Sequence, residues 1–360
     1  MRRNIVQGRN LAGTLILAFC LAAGLWARSA AAVPERHTIP GTEVVIYNLV
    51  GSLEIVPGTG PSVVAEVTLQ GPDASRLRIA KGTIRGKERL RVIYPGDRIR
   101  VPEFEHRTTT TIRVREDGTF SDENGSGGRK VVLSGKEGIE ASADIRILVP
   151  KGKKLEVKWG HGDGTVSGVE ASVAIDAASM PVTVTDAKGP LSVDIGAGRV
   201  TVNGASGSIA IDTGSGEVDL RDVHGGRIDV DTGSGEVTGQ GLDSDPVSIS
   251  TGSGEIRLVE VRSDQVTLDS GSGEISIELN GSMKELLVDT GSGDVTVLIP
   301  RGTGADLSVE TGSGDIETNL VVETRYRKRN ELVGRIGTGG GRIRIETGSG
   351  NISLAEEKKK

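Results

Sequence analysis

The 360 residues carry a formal charge of −6, one cysteine and only 2% aromatic side chains. An acidic balance lacks the basic footprint that a nucleic-acid partner needs, and one cysteine excludes a disulfide framework. The 53 glycines point to a chain punctuated by corners.

Residues 1–32 read as a secretory signal peptide: Arg2 and Arg3 precede the apolar run Leu11–Trp26, and Ala30-Ala31-Ala32 offers a small-x-small cleavage site before Val33. An uncleaved anchor helix is the alternative. Cys20 does not fit a lipoprotein attachment site, because the bulky Phe19 stands before it. Cleavage removes Cys20 and four arginines but no acids, so the charge moves from −6 to −10. No later stretch is long and apolar enough to span a bilayer.

Residues 33–150 form an N-terminal β region. Strand-like runs at Glu43–Tyr47, Ser52–Val56, Ser62–Leu69 and Arg89–Ile93 are separated by Pro57-Gly58, Gly71-Pro72 and Pro95-Gly96. Residues 103–130 are polar, with Thr108–Thr111, Glu116-Asp117-Gly118 and Asn124–Gly128, and read as an exposed, mobile loop. Alternation returns in Val131-Val132-Leu133 and Ile145–Val149.

Residues 151–355 hold a repeat. Its first clean copy is Asp212-Thr213-Gly214-Ser215-Gly216-Glu217-Val218; Asp231–Val237, Ser250–Ile256, Asp269–Ile275, Asp289–Val295, Glu310–Ile316 and Glu346–Ile352 repeat it. The starts lie 19, 19, 19, 20, 21 and 36 residues apart. Lys158–Gly164, Asp176–Val182 and Asp194–Val200 are degenerate copies, so the array begins near Leu155. Around each corner the apolar residues alternate: Val247, Ile249 and Thr251 before Gly252-Ser253-Gly254, Ile256 and Leu258 after it. That is the period of a half-buried strand on each side of a turn, whose glycines are expected to supply φ > 0. One such rung cannot bury its apolar face alone, so neighbours must stack.

The expectation is an all-β fold: a β-solenoid, parallel β-helix-like, of about ten rungs and roughly 45–50 Å, with the N-terminal β region capping the coil or beginning it. A long antiparallel meander with a hairpin at each Gly-Ser-Gly is the alternative, but it gives no reason to keep one corner nearly identical. Residues 321–342, with the basic run Arg325–Arg329, form an inserted loop expected to cover the open end of the stack. Residues 356–360 are a disordered tail.

The carboxylates are the candidate chemistry. Asp212, Asp231, Asp269, Asp289, Glu310 and Glu346 precede the corners; Glu217, Glu236, Glu255, Glu274, Asp294 and Asp315 follow them. Alternation points them outward, in two acidic ladders stepped by about 4.8 Å. Neighbour repulsion is only about 1 kcal/mol at high dielectric, so hydrated ladders are tolerable. The sharper reading is Ca²⁺ bridging successive rungs through Asp212, Glu217, Asp231, Glu236, Asp269 and Glu274. Against it, Ser stands where the calcium-binding nonapeptide repeat carries Asp in its glycine turn. No cofactor is expected otherwise.

The glycine segments lack the Lys and helix of a phosphate loop. Gly-Ser-Gly is not a nucleophile elbow, and no His stands at a fixed offset from it. Trp159, His161 and Asp163 are the one local cluster of titratable variety, read as a turn with solvated polar groups rather than a metal or catalytic site. Arg325–Arg329 reads as a solvated loop, with anionic lipid as the alternative contact.

The corner units, the strands before them and the ending Gly339–Leu354 resemble the bacterial DUF4097 family, which is adhesin-like and related to toast-rack domains. The resemblance covers residues 150–355, more weakly Val44–Val56. It implies an exported, non-catalytic β-solenoid and carries no catalytic residues. The expected function is therefore a structural or interaction module of the periplasm or cell surface, its partner an envelope or surface protein or a glycan. The alternative is a polysaccharide-binding or polysaccharide-degrading β-helix protein, which the scarcity of aromatic platforms disfavours.

Overall fold

The computed structural model describes residues 33–102, 104, 109–120 and 127–357. The predicted secretory segment 1–32, Cys20 and Lys358–Lys360 of the predicted tail lie outside the described residues, while Glu356, expected in that tail, ends the strand Ile352–Glu356.

The described chain is all-β apart from one short 3₁₀ turn, with two long sheets of mainly parallel strands and one small sheet. After residue 154 each repeat copy contributes one strand to each long sheet, and the Gly-Ser-Gly corner carries the chain between them. Pairing between successive copies is parallel and in register: Ile211 lies beside Val230, Val230 beside Ile249, Ile249 beside Leu268. Across the corner, Val218, Val237 and Ile256 follow the same register. All of these are buried. The meander alternative is thereby excluded, because its neighbouring strands would run antiparallel. The interior is a continuous file of Val, Ile and Leu, and each such side chain contributes on the order of 1.5–3 kcal/mol when fully buried. The degenerate copies obey the same register, with Lys158 beside Asp176 and Asp176 beside Asp194.

At the corners of Gly293 and Gly350 the last glycine takes the expected positive φ, 154° and 157°, but most corner glycines are needed for a different reason. Gly214, Gly216, Gly233, Gly235, Gly252 and Gly254 show no left-handed φ. A Cβ on Gly235 would stand 2.0 Å from the Gly216 carbonyl oxygen, and one on Gly254 2.0 Å from that of Gly235. The corners stack so closely that only hydrogen fits, a matter of approach and not of backbone conformation.

Positive φ at residues other than glycine is found at the second corner. Asp186 and Asp222 have φ of 51° each and Glu260 57°, alternating along the stack with Gly204 and Gly241. A Cβ on Gly204 would lie 2.6 Å from Asp186 Oδ1, and one on Gly241 2.9 Å from Asp222 Oδ1. Glycine alternates with a carboxylate because each side chain occupies the space above its neighbour.

The stack begins before the repeat array near Leu155, with the N-terminal β region, one of its two expected roles. Glu43–Val50 pairs in parallel with Lys154–His161, and Leu53–Ile55 with Gly164–Val166. The corner of this first rung is Val50-Gly51-Ser52, which lacks the repeat motif, and about a hundred residues separate it from its neighbour. Both facts hide it from a search for periodicity. The expected mobile loop 103–130 is also corrected where it is described. Thr109–Val114 is a strand, antiparallel to Arg129–Ser134, and Phe104, Ile112, Val114 and Phe120 are buried. Phe120 meets Tyr47 edge-on with ring centroids 5.6 Å apart.

Within the predicted insertion 321–342, Val322–Arg327 and Glu331–Ile336 form a hairpin whose second strand pairs antiparallel with Ala305–Ser313. It extends one sheet by two strands. The copies nearby are not stacked in chain order. Gly341–Ser349 lies between Glu285–Thr290 and Ala305–Ser313, parallel to both. On the other sheet Ile352–Glu356 lies between Val295–Ile299 and Ile316–Thr318. The last repeat in the sequence thus occupies a slot between two earlier ones.

Candidate functional surface

The outward column before the corners is built by register. Lys158, Asp176, Asp194, Asp212, Asp231, Ser250, Asp269, Asp289, Glu346 and Glu310 follow one another across one sheet. Of the predicted ladder, Asp212 is beside Asp231 and Asp269 beside Asp289. Asp231 and Asp269 are kept apart by Ser250, whose hydroxyl donates to Asp231 Oδ1 at 3.3 Å. The end of the column is neutralised by Lys158, which bridges Asp176 at 2.8 Å and Glu156 at 3.0 Å. Burial opposes the Lys158 charge, yet the hydrogen bonds it donates to Asp176 and Glu156 hold its pKa above the usual lysine value. In mid-column, burial and then the neighbouring Asp176 and Asp212 push the Asp194 carboxyl up. Burial, then Asp269 and Glu346, do the same at Asp289.

The column after the corners stacks through its backbone. Val218 N–H donates to Glu236 O, Val237 to Glu255 O and Ile256 to Glu274 O, each at 2.9 Å. Here arginines break up the acid: Arg199 pairs with Glu217, and Arg257 with Glu255 at 3.0 Å and Glu236 at 4.0 Å. Such exposed pairs are worth little individually. Among the described residues, no group of three or more His, Cys, Asp or Glu side chains is arranged to hold a metal ion. The residues named for Ca²⁺ meet two at a time, whereas that ion takes 6–8 oxygens.

Between these columns runs a row that the sequence displays but does not explain. The residue before each Gly-Ser-Gly is Thr or Ser, and Thr213, Thr232, Thr251, Ser270, Thr290, Thr347 and Thr311 are all buried. Thr232 Oγ1 donates to the Gly216 carbonyl at 3.3 Å, Thr251 to Gly235 at 3.2 Å, and Ser270 to Gly254 at 3.1 Å. Except at Thr213, each hydroxyl ties its rung to the corner of the neighbouring one. The signal was present as an invariant hydroxyl inside an otherwise apolar alternation.

The Trp159–Asp163 cluster lies on a strand and the corner after it. Trp159 is buried, and its Nε1 donates to Gly51 O at 2.7 Å. His161 Nδ1 lies 3.1 Å from Ser179 O, and its ring meets Phe104 edge-on at 4.3 Å. His161 and Asp163 line a cleft of about 580 Å³ with Arg100, Glu140, Asp144 and Gln70, none of which their spacing in the sequence brings together. Arg100 pairs with Glu140, Gln70 with Asp144, and Asp144 Oδ1 accepts the Ser52 N–H at 2.8 Å. The cleft is thus a junction tied across by its own polar groups.

Parallel rungs around an aliphatic file, with charged columns outside, define an all-β repeat protein whose regular feature is its surface. The chain matches the Toastrack DUF4097 family over residues 105–355, and it belongs to that family. A crystal structure of a "putative cell adhesion protein" from Clostridium sporogenes ATCC 15579 shares 13% identity with it. That likeness covers 90% of this chain and 100% of the other at a TM-score of 0.19, too slight to bear on function. Comparison with curated proteins finds no match.

Proposed function

We propose that the chain is an exported, non-catalytic β-solenoid that presents repeated polar faces to a protein or glycan of the cell envelope or surface. The observation that carries this reading is the register of the outward columns. Asp194, Asp212 and Asp231 occupy equivalent positions one strand apart, so a partner meets the same carboxylate at successive steps. Membership of the Toastrack family fits the reading. No helix among the described residues is long and apolar enough to cross a membrane. Against the polysaccharide-acting alternative, Trp159, Tyr47, Tyr94 and Phe120 are buried and offer a sugar no platform.

The test is crosslinking in the native envelope followed by identification of the captured partner, with a glycan array and a depolymerisation assay run beside it. A defined envelope partner without depolymerising activity supports the proposal. Clear depolymerisation of a polysaccharide overturns it.

A further inference from the structure

The hairpin Val322–Ile336 reverses the charge of the surface around it. It holds Arg325, Arg327, Lys328, Arg329 and Arg335 against Glu323 and Glu331, in a chain whose formal charge is −6. Elsewhere in the array the arginines are neutralised within the molecule. Among the described residues from Arg199 to Arg344, every arginine but Arg301, Arg325 and Arg327 bridges a carboxylate. Arg301 donates to the Glu357 carbonyl at 3.2 Å instead. Arg325 and Arg327 make neither kind of contact, and both are exposed.

Exposed apolar surface gathers at the same place. Three large hydrophobic side chains are exposed among the described residues: Val33, Val321 at 94% and Tyr326 at 39%. Val321 immediately precedes the hairpin. Tyr326 stands between Arg325 and Arg327, and Lys328 Nζ lies 4.9 Å from its ring centroid. Val322–Arg327 is the outermost strand of its sheet, yet it is poorly made for adding a further strand. The pairing register with Glu331–Ile336 shifts between Thr324 and Tyr326, which sets Arg325 out of the ladder. A bulge and charged side chains on an edge block strand addition. What the strand offers is its side chains: basic heads on long aliphatic stems, with a tyrosine and a valine among them. That combination matches a bilayer surface, where such stems and rings sit at headgroup level while the charges meet anionic lipid. An acidic protein surface would satisfy the arginines but gives no reason for Val321 and Tyr326 to be bare.

We propose that this hairpin docks the end of the stack on an anionic phospholipid bilayer. The contact is separate from the acidic columns, so it stands whether or not their envelope partner is found. In full-length chain carrying Cys20→Ser, a polarity-sensitive fluorophore on Val321→Cys is expected to shift its emission to shorter wavelength with vesicles of phosphatidylglycerol and phosphatidylcholine. With phosphatidylcholine alone it is expected not to move. The same fluorophore on Ser234→Cys, at a mid-stack corner, is expected to stay unchanged with both. Arg325→Gln/Arg327→Gln leaves residues 1–32 untouched, and is expected to weaken the titration read at position 321 by about 30-fold. Arg325→Lys/Arg327→Lys keeps the charge and is expected to bind as the parent chain does. No shift at position 321, an equal shift with neutral vesicles, or a glutamine variant that binds like the parent overturns the proposal. So does a lysine variant as weak as the glutamine one. Association between copies without vesicles, lost in the glutamine variant while position 321 ignores lipid, overturns it in favour of an acidic protein surface.

Discussion

The carbonyl oxygen of Gly216 stands 2.0 Å from where a Cβ on Gly235 would be. Real side chains do not tolerate such an approach, and the atom in the way is backbone, which cannot swing aside. Gly235→Ala is therefore expected to prise two rungs apart and cost more than about 3 kcal/mol, in the range of strain and packing lesions that unfold marginal proteins. Ser234→Ala, on the exposed residue between the two glycines, is expected to stay within about 0.5 kcal/mol. Urea unfolding of the two variants side by side reads the difference.

The hydroxyl row gives a second contrast. Thr232 donates to the Gly216 carbonyl, so Thr232→Val is expected to destabilise by about 1–2 kcal/mol through the lost bond. Thr213 is buried with a hydroxyl that has no partner among the described residues. Thr213→Val is accordingly expected to be neutral or stabilising. Thermal unfolding of both variants decides it, and equal losses would contradict the row's role.

Much of this fold can be read directly in the residues. The Gly-Ser-Gly copies mark one corner, and the alternation Val247, Ile249, Thr251 marks the buried face. The outward position of Asp212 and Asp231 follows from the same alternation. What could not be read depends on distance in the chain. Glu43–Val50 joins the stack through partners about a hundred residues away, without the corner motif. The interleaving of residues 341–356 is encoded by single residues, the charge of Arg342 and the neutral amide of Asn351, whose meaning appears only when Glu285, Asp306, Asp294 and Asp315 are their neighbours. The cleft beside His161 gathers Arg100, Glu140 and Asp144 from separate strands, and no local pattern announces it.

The carboxyl of Asp289 is pushed up by burial and by Asp269 and Glu346, with Arg344 opposing. Its folded pKa then exceeds its unfolded one. Its favourable contribution is present in full below the unfolded value and is lost as pH rises through the folded value, so near neutrality the charged group is a liability. Asp289→Asn is expected to raise the urea midpoint at pH 7, with the gain shrinking as pH falls through the carboxylate range and absent near pH 3. A gain that persists at pH 3 would have another cause.

Because no group of three or more acidic side chains among the described residues is arranged to hold a metal ion, millimolar calcium or EDTA is expected to leave the melting temperature unchanged. A calcium-dependent rise that Asp212→Asn together with Asp231→Asn abolishes would restore the cation reading.

The stacking itself is most directly measured by electron–electron distances between spin labels on the corner serines, in chain carrying Cys20→Ser. Counting strand spacings from Ser215, a label at Ser292 is expected at about 19 Å, one at Ser349 at about 24 Å and one at Ser313 at about 29 Å. That order, with Ser349 nearer than Ser313, is what registered and interleaved rungs require. Ser313 nearer than Ser349, or distances that do not grow step by step, would contradict the account.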